Sequence, residues 1–489
     1  MVINRRDFIG LSAIGLFGGL ALKGCQGFVS QGSVSDGAAI AAIHRSKDGL
    51  LEIDLTAQYA DLVLAEQAMS QMMTYNGQLP APRLEVKPGD RLIIHFTNNL
   101  NQGTNLHFHG LHLSPAQDNV FLHIKPGETY TYELDIHPNQ RGGTYWYHPH
   151  VHGSVAEQLF RGLAGIIVVR GELDNIPEIA AAQEEFFLLQ DFALPNENSS
   201  HMNLMAGREG SLRLVNGNYH PTIEVTENLL RLRLVNASPS RFYNLQIKGQ
   251  TLIQIATDGG ALAQPKAIDQ LLLTPGQRAE LLIPTVNLPD IPIHLLNLPY
   301  QRTQMGMMGH QATQVVEAIA DFKRAAKNYS TVTLPEAFQP IKPLPEPEQT
   351  RQFRLNHGMA RGHRGGNGHR GGQMPGQGMA FLINGESYSG AVDTEVTLDT
   401  VEDWEIINTG TMDHPFHVHT NKFQIISRNG IPEAAIAWHD TVLVKVGETV
   451  KIRMAFQHFT GETVYHCHIL DHEDLGMMGK LKISAPQNS

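Results

Sequence analysis

His466-Cys467-His468-Ile469-Leu470-Asp471-His472, followed by Met477, puts a thiolate, three imidazoles and a thioether into twelve residues. Soft and borderline metals, copper above all, prefer these ligand types. Successive side chains of a strand point to opposite faces. Read as a strand, the stretch turns Cys467 one way and both His466 and His468 the other. One short peptide can then serve two metal sites back to back, a few covalent bonds apart, which is a layout for moving electrons. A trigonal His, His, Cys set with a weak axial Met describes a blue-copper electron-transfer site. The stretch supplies Cys467, His472 and Met477, so one His has to come from elsewhere.

Three further clusters answer that need: His107-Phe108-His109, His148-Pro149-His150 and His414-Pro415-Phe416-His417-Val418-His419. In a strand an i, i+2 pair presents both imidazoles on one face. His107/His109, His148/His150, His417/His419 and His466/His468 are four such pairs. Eight imidazoles on converging strands can hold a cluster of about three metals, at two or three nitrogens each. His414 lies an odd number of positions from His417 and faces away from it, as Cys467 does from His466. It is the natural missing ligand of the blue-copper set. One His-x-His pair would pass for surface residues; four pairs beside Cys467 point to metal.

The chain around these motifs reads as all-β from about residue 50, with short alternating runs bounded by Gly, Pro, Asn and Asp. Arg91-Leu92-Ile93-Ile94-His95-Phe96, Leu230-Arg231-Leu232-Arg233-Leu234-Val235 and Val450-Lys451-Ile452-Arg453-Met454 are examples. A repeat runs through it. Tyr75-Asn76-Gly77-Gln78, Val215-Asn216-Gly217-Asn218 and Ile383-Asn384-Gly385-Glu386 each lead to an apolar strand that ends in Asn: Asn98, Asn236 and Asn408. Three copies predict three β-sandwich domains at 50–172, 180–325 and 350–486. A Pro-rich linker at 326–349 separates the last two. The His clusters fall in the first and third copies. The turns Asp258-Gly259-Gly260 and Thr274-Pro275-Gly276-Gln277-Arg278 of the second are expected to be structural.

The four clusters resemble the four copper-binding motifs of the multicopper oxidases, the laccase-like enzymes. The resemblance covers most of the chain past residue 50 and implies three cupredoxin-like Greek-key β-sandwich domains. It implies four copper ions: one type 1, one type 2 and two type 3. By that resemblance His414, Cys467, His472 and Met477 bind type 1, and His107 and His417 bind type 2. His109, His148, His150, His419, His466 and His468 bind the type 3 pair. The family couples one-electron oxidation of a reducing substrate to four-electron reduction of O2 to water, with electrons crossing through Cys467. Two carboxylates have counterparts there. Asp118, nine residues after His109, matches an acid beside the trinuclear cluster, and Glu473, directly after His472, matches one near the water exit. Both suit proton delivery, since carboxylates relay protons. The bland alternatives are a turn for Asp118 and a solvated loop for Glu473. Asn119 stands where many relatives have Gly.

Composition and termini bound the rest. The 489 residues allow about three domains of ~150 each. A net charge of -11 leaves no basic excess for nucleic acid, so no such partner is expected. No nucleophilic triad, phosphate loop or nucleotide motif is present. Asn4-Arg5-Arg6-Asp7-Phe8 precedes an uncharged run to Leu22, fifteen residues and so short of the ~20 that span a bilayer. Residues 1–27 therefore read as an export signal, and the paired arginines resemble a twin-arginine signal, placing the protein in the periplasm or another extracytoplasmic space. Leu22-Lys23-Gly24-Cys25 resembles a lipoprotein processing site, with Lys23 departing from the usual small residue. A lipid anchor at Cys25 is the sole membrane contact expected, and 28–49 reads as a tether. With Cys25 in the signal and Cys467 on metal, no disulfide framework remains.

The reducing partner is a small molecule, phenol-like or Cu(I). Thioethers suit Cu(I), and Met cluster in Gln304-Met305-Gly306-Met307-Met308-Gly309-His310, in a Gly/His/Met-rich loop at 357–379, and at Met412-Asp413. Copper-efflux oxidases of the family carry Met-rich segments in the third domain. Met412 matches their substrate-copper Met, whereas Gly410 replaces their acid and Asp413 is its candidate substitute. The three Arg between His357 and Met379 oppose a cation, and the other reading of that loop is a Gly-rich connection. A laccase-like oxidase of phenols and aromatic amines leads; a cuprous oxidase in copper tolerance and a non-enzymatic copper binder or cupredoxin scaffold are the alternatives.

Overall fold

The computed structural model describes residues 41–195, 197, 205–286, 288–289, 291–302, 315–325, 330–359 and 379–486. The export-signal and Cys25 readings, the Met-rich stretch at 304–310 and the middle of the 357–379 loop lie outside the described residues. Among the described residues six sheets form the body, two for each third of the chain. Each pair encloses one apolar core. The first is built on Leu55, Phe96, Phe108 and Ile167, the second on Leu189, Leu232, Leu245 and Leu281, and the third on Leu355, Trp404, Phe416 and Ile452. Alternation explains the layers: along Arg91–Asn98, Leu92, Ile94 and Phe96 face inward and are fully buried.

The repeat has a physical basis. Asn76, Asn216 and Asn384 take φ of 57°, 52° and 55°, and the following glycines take 74°, 74° and 84°. Two successive positive φ values make a type I′ turn, which Asn-Gly adopts at little steric cost. Each turn Asn also accepts from a backbone N–H of a neighbouring strand: Thr56 at 2.7 Å, Leu188 at 2.9 Å and Arg354 at 2.8 Å. The strand-ending Asn are buried and act alike. Asn98 donates to Gln102 O and Ile124 O, Asn236 to Arg241 O and Leu273 O, and Asn408 to Met412 O and Val444 O. Each satisfies carbonyls that a departing strand would otherwise strand in the interior. Asn408 thereby sets the path of 409–413 into His414.

Alternation did not announce what the polar faces do. Arg231 and Arg233 of Leu229–Asn236 are buried, not solvated. They pair with Glu280 (both 2.6 Å), Asp174 (2.8 and 2.6 Å) and, for Arg233, Glu184 (2.6 Å) where the first and second domains meet. Two expectations need correction. The tether assigned to 28–49 includes the strand Ile43–Arg45, parallel to Arg83–Val86. Three residues are too few to show a period, and their partner lies 40 positions on. The loop assigned to 357–379 begins and ends in paired strand: His357, Gly358 and Met359 oppose Phe381, Ala380 and Met379. Gly-rich composition there conceals a hairpin base.

Candidate metal centre

Two strand pairs bring the four motifs together. His107–His109 pairs antiparallel with Gly143–His148, placing His107 opposite His148. His414–Val418 pairs antiparallel with Gly461–Cys467, placing His417 opposite His466 and Phe416 opposite Cys467. His150, His419 and His468 fall just beyond their strands, yet extended geometry carries the parity through. All eight imidazoles converge where the first and third domains meet, each at most 2% exposed. The rings of His107 and His419 stack at 3.9 Å, as do those of His109 and His417. His466 Nε2 lies 3.3 Å from His150 Nε2 and 3.0 Å from His419 Nε2.

Outer nitrogens are held in the manner of metal ligands, whose second ring N–H meets a carboxylate or carbonyl. His107 Nδ1 meets Asp118 at 2.8 Å, His148 Nδ1 donates to Pro149 O at 2.9 Å, and His417 Nδ1 donates to Asp440 O at 2.8 Å. Inward nitrogens have no protein partner: His107 Nε2, His109 Nδ1, His148 Nε2, His417 Nε2, His419 Nδ1 and both nitrogens of His468. A buried, unpaired polar atom costs about 1–3 kcal/mol, so so many around one chamber fit a bound cation. Burial pushes His148 down to about 3 and His150 to about 4, and it holds His107, His109, His417, His419 and His468 well below the ordinary imidazole value. Neutral rings keep the lone pairs that metals require.

Across the sheet from His417 and His466, Cys467 Sγ lies 3.4 Å from His414 Nδ1 and 3.7 Å from His472 Nδ1, and those two nitrogens are 3.3 Å apart. The three residues and Met477 are fully buried in the third core. Ile469 N–H points at the sulfur at 3.4 Å. Burial raises the Cys467 thiol strongly, so the proton leaves only for a cation.

The stretch is not strand throughout. It turns after Cys467 into the helix Leu470–Asp474. Residues of a helix step round by about 100°, and four consecutive side chains take four directions. Asp471 accepts from Arg208 (2.7 and 2.9 Å), and His472 joins Cys467. Glu473, fully buried, lies 3.0 Å from His466 Nδ1 and 3.7 Å from His150 Nε2, so the solvated-loop alternative fails. Asp474 accepts from Gly153 and Ala156 N–H at 2.7 and 2.9 Å, capping the first-domain helix Val155–Phe160. Asp118 is buried beside His107, accepts from Phe108 N–H at 3.1 Å, and is pushed up to about 7 by burial, with that N–H pulling the other way.

Family models described as multicopper oxidase match residues 56–174, 181–291 and 361–487. The chain belongs to the multicopper oxidases. This oxidase is 32% identical to a multicopper oxidase from Campylobacter jejuni described as a metallo-oxidase, with 93% of this chain and 96% of that one covered and a TM-score of 0.79. It is 28% identical to the multicopper oxidase mco of Staphylococcus haemolyticus over 91% of both chains. It is also 27% identical, over 100% of both chains, to the cell division protein FtsP of Photorhabdus laumondii. The three sandwiches are cupredoxin-like domains, and the family is one of copper-binding oxidoreductases.

Some of this oxidase's residues at the centre escaped the sequence. Asp440 lies 3.2 Å from His109 Nε2 and is gripped by Arg278 of the second domain at 2.8 and 2.6 Å. Asp258 Oδ2 accepts from the N–H groups of Asp440 (2.6 Å) and Thr441 (3.1 Å). The turns expected to be merely structural thus brace the chamber. Gly276, at φ +82°, approaches His468 so closely that a Cβ would lie 2.7 Å from its ring. Met205 O meets His472 Nε2 at 3.2 Å, covering the other centre. Asp413, the candidate substrate-copper acid, is occupied: it accepts from Tyr300 Oη and Val446 N–H, both at 2.9 Å. No sequence spacing marks such cross-domain partners.

Proposed function

We propose that this multicopper oxidase couples one-electron oxidation of small organic donors, phenols and aromatic amines, to four-electron reduction of O2 to water. His414, Cys467, His472 and Met477 would hold type 1 copper, and His107 and His417 type 2. His109, His148, His150, His419, His466 and His468 would hold the type 3 pair. Bound copper supplies the one-electron chemistry and the reduction of O2. The observation that carries the reading is the back-to-back geometry at Cys467. Its sulfur faces His414 and His472, while its covalent neighbours His466 and His468 face the eight-imidazole chamber. Asp118, in contact with His107, and Glu473, in contact with His466, would hold and pass protons to that chamber. Export through the segment 1–27 would place this chemistry outside the cytoplasm.

A cuprous-oxidase reading is favoured by the Campylobacter jejuni relative, described as a metallo-oxidase, and by the Met and His of 357–379. The engaged Asp413 speaks for the organic donor. O2 consumption by the copper-loaded chain decides between them through kcat/KM for Cu(I) and for a simple phenol. Deleting 361–377 keeps the strands Gln349–Met359 and Met379–Ile383. Phenol turnover equal to or above Cu(I) turnover, unchanged by the deletion, supports the proposal; strong Cu(I) preference lost with the deletion supports the second reading. A copper-loaded chain that is colourless and consumes no O2 overturns both in favour of a scaffold. Cys467→Ser is the control that must lose colour and turnover together.

A further inference from the structure

A second group of imidazoles lies outside the chamber. His112 and His137 of the first domain and His458 of the third each offer a ring nitrogen, and the three nitrogens lie within 4.8 Å of one another. His112 Nε2 and His458 Nδ1 are 2.9 Å apart. The ring of His137 lies 4.4 Å from that of His458 and 5.2 Å from that of His112. Phe459 packs on the ring of His112 at 5.0 Å and forms an apolar wall.

From this grouping we infer that His112, His137 and His458 form a further metal site, for a divalent late first-row cation such as Zn2+ or Cu2+, clamping the first domain to the third. Three imidazoles with an open fourth position are a donor set that such ions take. Nitrogens about 2.0–2.1 Å from a tetrahedral ion stand about 3.3 Å apart, so the trio needs small ring movements, not a new fold. His112 is prepared for the role. Its Nδ1 donates to Thr420 O at 2.8 Å, which fixes the tautomer and leaves the Nε2 lone pair facing His458. Thr420 directly follows His419, so the site is tied to the wall of the chamber.

His458 sits at a turn in the backbone. Its φ is +73°, the left-handed region that glycine occupies at no steric cost. In the metal-free arrangement a proton is shared between His112 Nε2 and His458 Nδ1; the cation takes that place and the proton leaves to solvent. His137 Nδ1 accepts from Asn139 N–H at 3.1 Å, an exposed bond that orients the ring. The trio owes nothing to the four motifs: its members are 25 and 321 positions apart in sequence order, and only the docking of two domains unites them.

The test uses the full copper-loaded chain with Zn2+ as the probe, so that the copper sites are already filled. After gel filtration, elemental analysis should find about one zinc per chain beyond the copper. Calorimetric titration should give a Kd at least about 100-fold tighter than for His137→Ala or His458→Asn, as loss of a direct ligand exceeds the 10–100-fold of an outer one. Asn tolerates the left-handed backbone, so His458→Asn should melt like the parent without zinc. Zinc should raise the Tm of the parent alone. No retained zinc in the parent, or equal zinc and affinity in both variants, overturns the proposal and leaves a His–His hydrogen bond at a domain seam.

Discussion

Replacing Arg278 by methionine removes a positive charge that the second domain inserts into the wall of the metal chamber. The guanidinium donates to both oxygens of Asp440 at 2.8 and 2.6 Å and to the carbonyls of Thr144, Gly276 and Asp258 at 3.1, 3.0 and 2.8 Å. Arg278 and Asp440 are each 1% exposed, so water cannot take over. Methionine keeps much of the volume, and what is lost is chiefly the pairing. Breaking a buried pair from one side costs about 3–5 kcal/mol, because the remaining charge has no partner. At about 2–4 °C per kcal/mol for a unit of this size, the copper-free variant should melt about 6–20 °C below the parent by scanning calorimetry. Copper content after loading should also fall, since Asp440 holds His417 through its carbonyl and lies against His109. Asp440→Asn removes the stranded charge, so the same Arg278→Met change should cost less in that background by at least about 1 kcal/mol. A Tm within about 2 °C of the parent, or an equal fall in both backgrounds, would refute the reasoning.

Lys422 donates to Tyr145 Oη at 3.0 Å, and its amine is pushed down to about 7 by burial, with Asp440 pulling the other way and Arg278 and Arg141 adding to the lowering. Between about pH 7 and its ordinary 10.5 the folded chain holds fewer protons than the unfolded one, so stability rises with pH across that window. Lys422→Met should therefore be more stable than the parent at pH 6.5 by a margin that narrows by pH 9; a constant or widening gap in melting curves contradicts this. Asp118→Asn should keep copper content and blue colour but lower kcat for O2 consumption by about 10²–10⁴-fold if Asp118 relays protons; unchanged turnover removes it from that role. Asp474→Ala should lower stability by about 1–2 kcal/mol, the worth of a helix cap, visible as an earlier melt; no change would mean that the contact between the helices Leu470–Asp474 and Val155–Phe160 does not depend on it.

The motifs were legible because their information is local. Four His-x-His pairs and the odd offsets of His414 and Cys467 encode facing by parity, which survives wherever the backbone is extended, even one residue past a strand end. The Asn-Gly turns and strand-ending Asn were legible for the same reason, since each acts within its own repeat. The helix Leu470–Asp474 was not: five residues are too few to show a 3.6 period beside a run of ligands. Misreading it left Glu473 open to a solvated alternative, although the residue is fully buried against His466.

Ligand types, their spacing and the threefold repeat belong to the chain alone, because covalent geometry between near neighbours dictates which side chains share a face. Tertiary structure decided everything that needs a partner from far away. It brought His109 to Asp440 across 331 positions and Arg278 to Asp440 across 162, and it covered His472 with Met205. It also buried Arg231 and Arg233 among carboxylates where alternation alone suggests solvent. Ion pairs and hydrogen bonds between domains are selected by docking and desolvation, and these impose no fixed separation along the sequence.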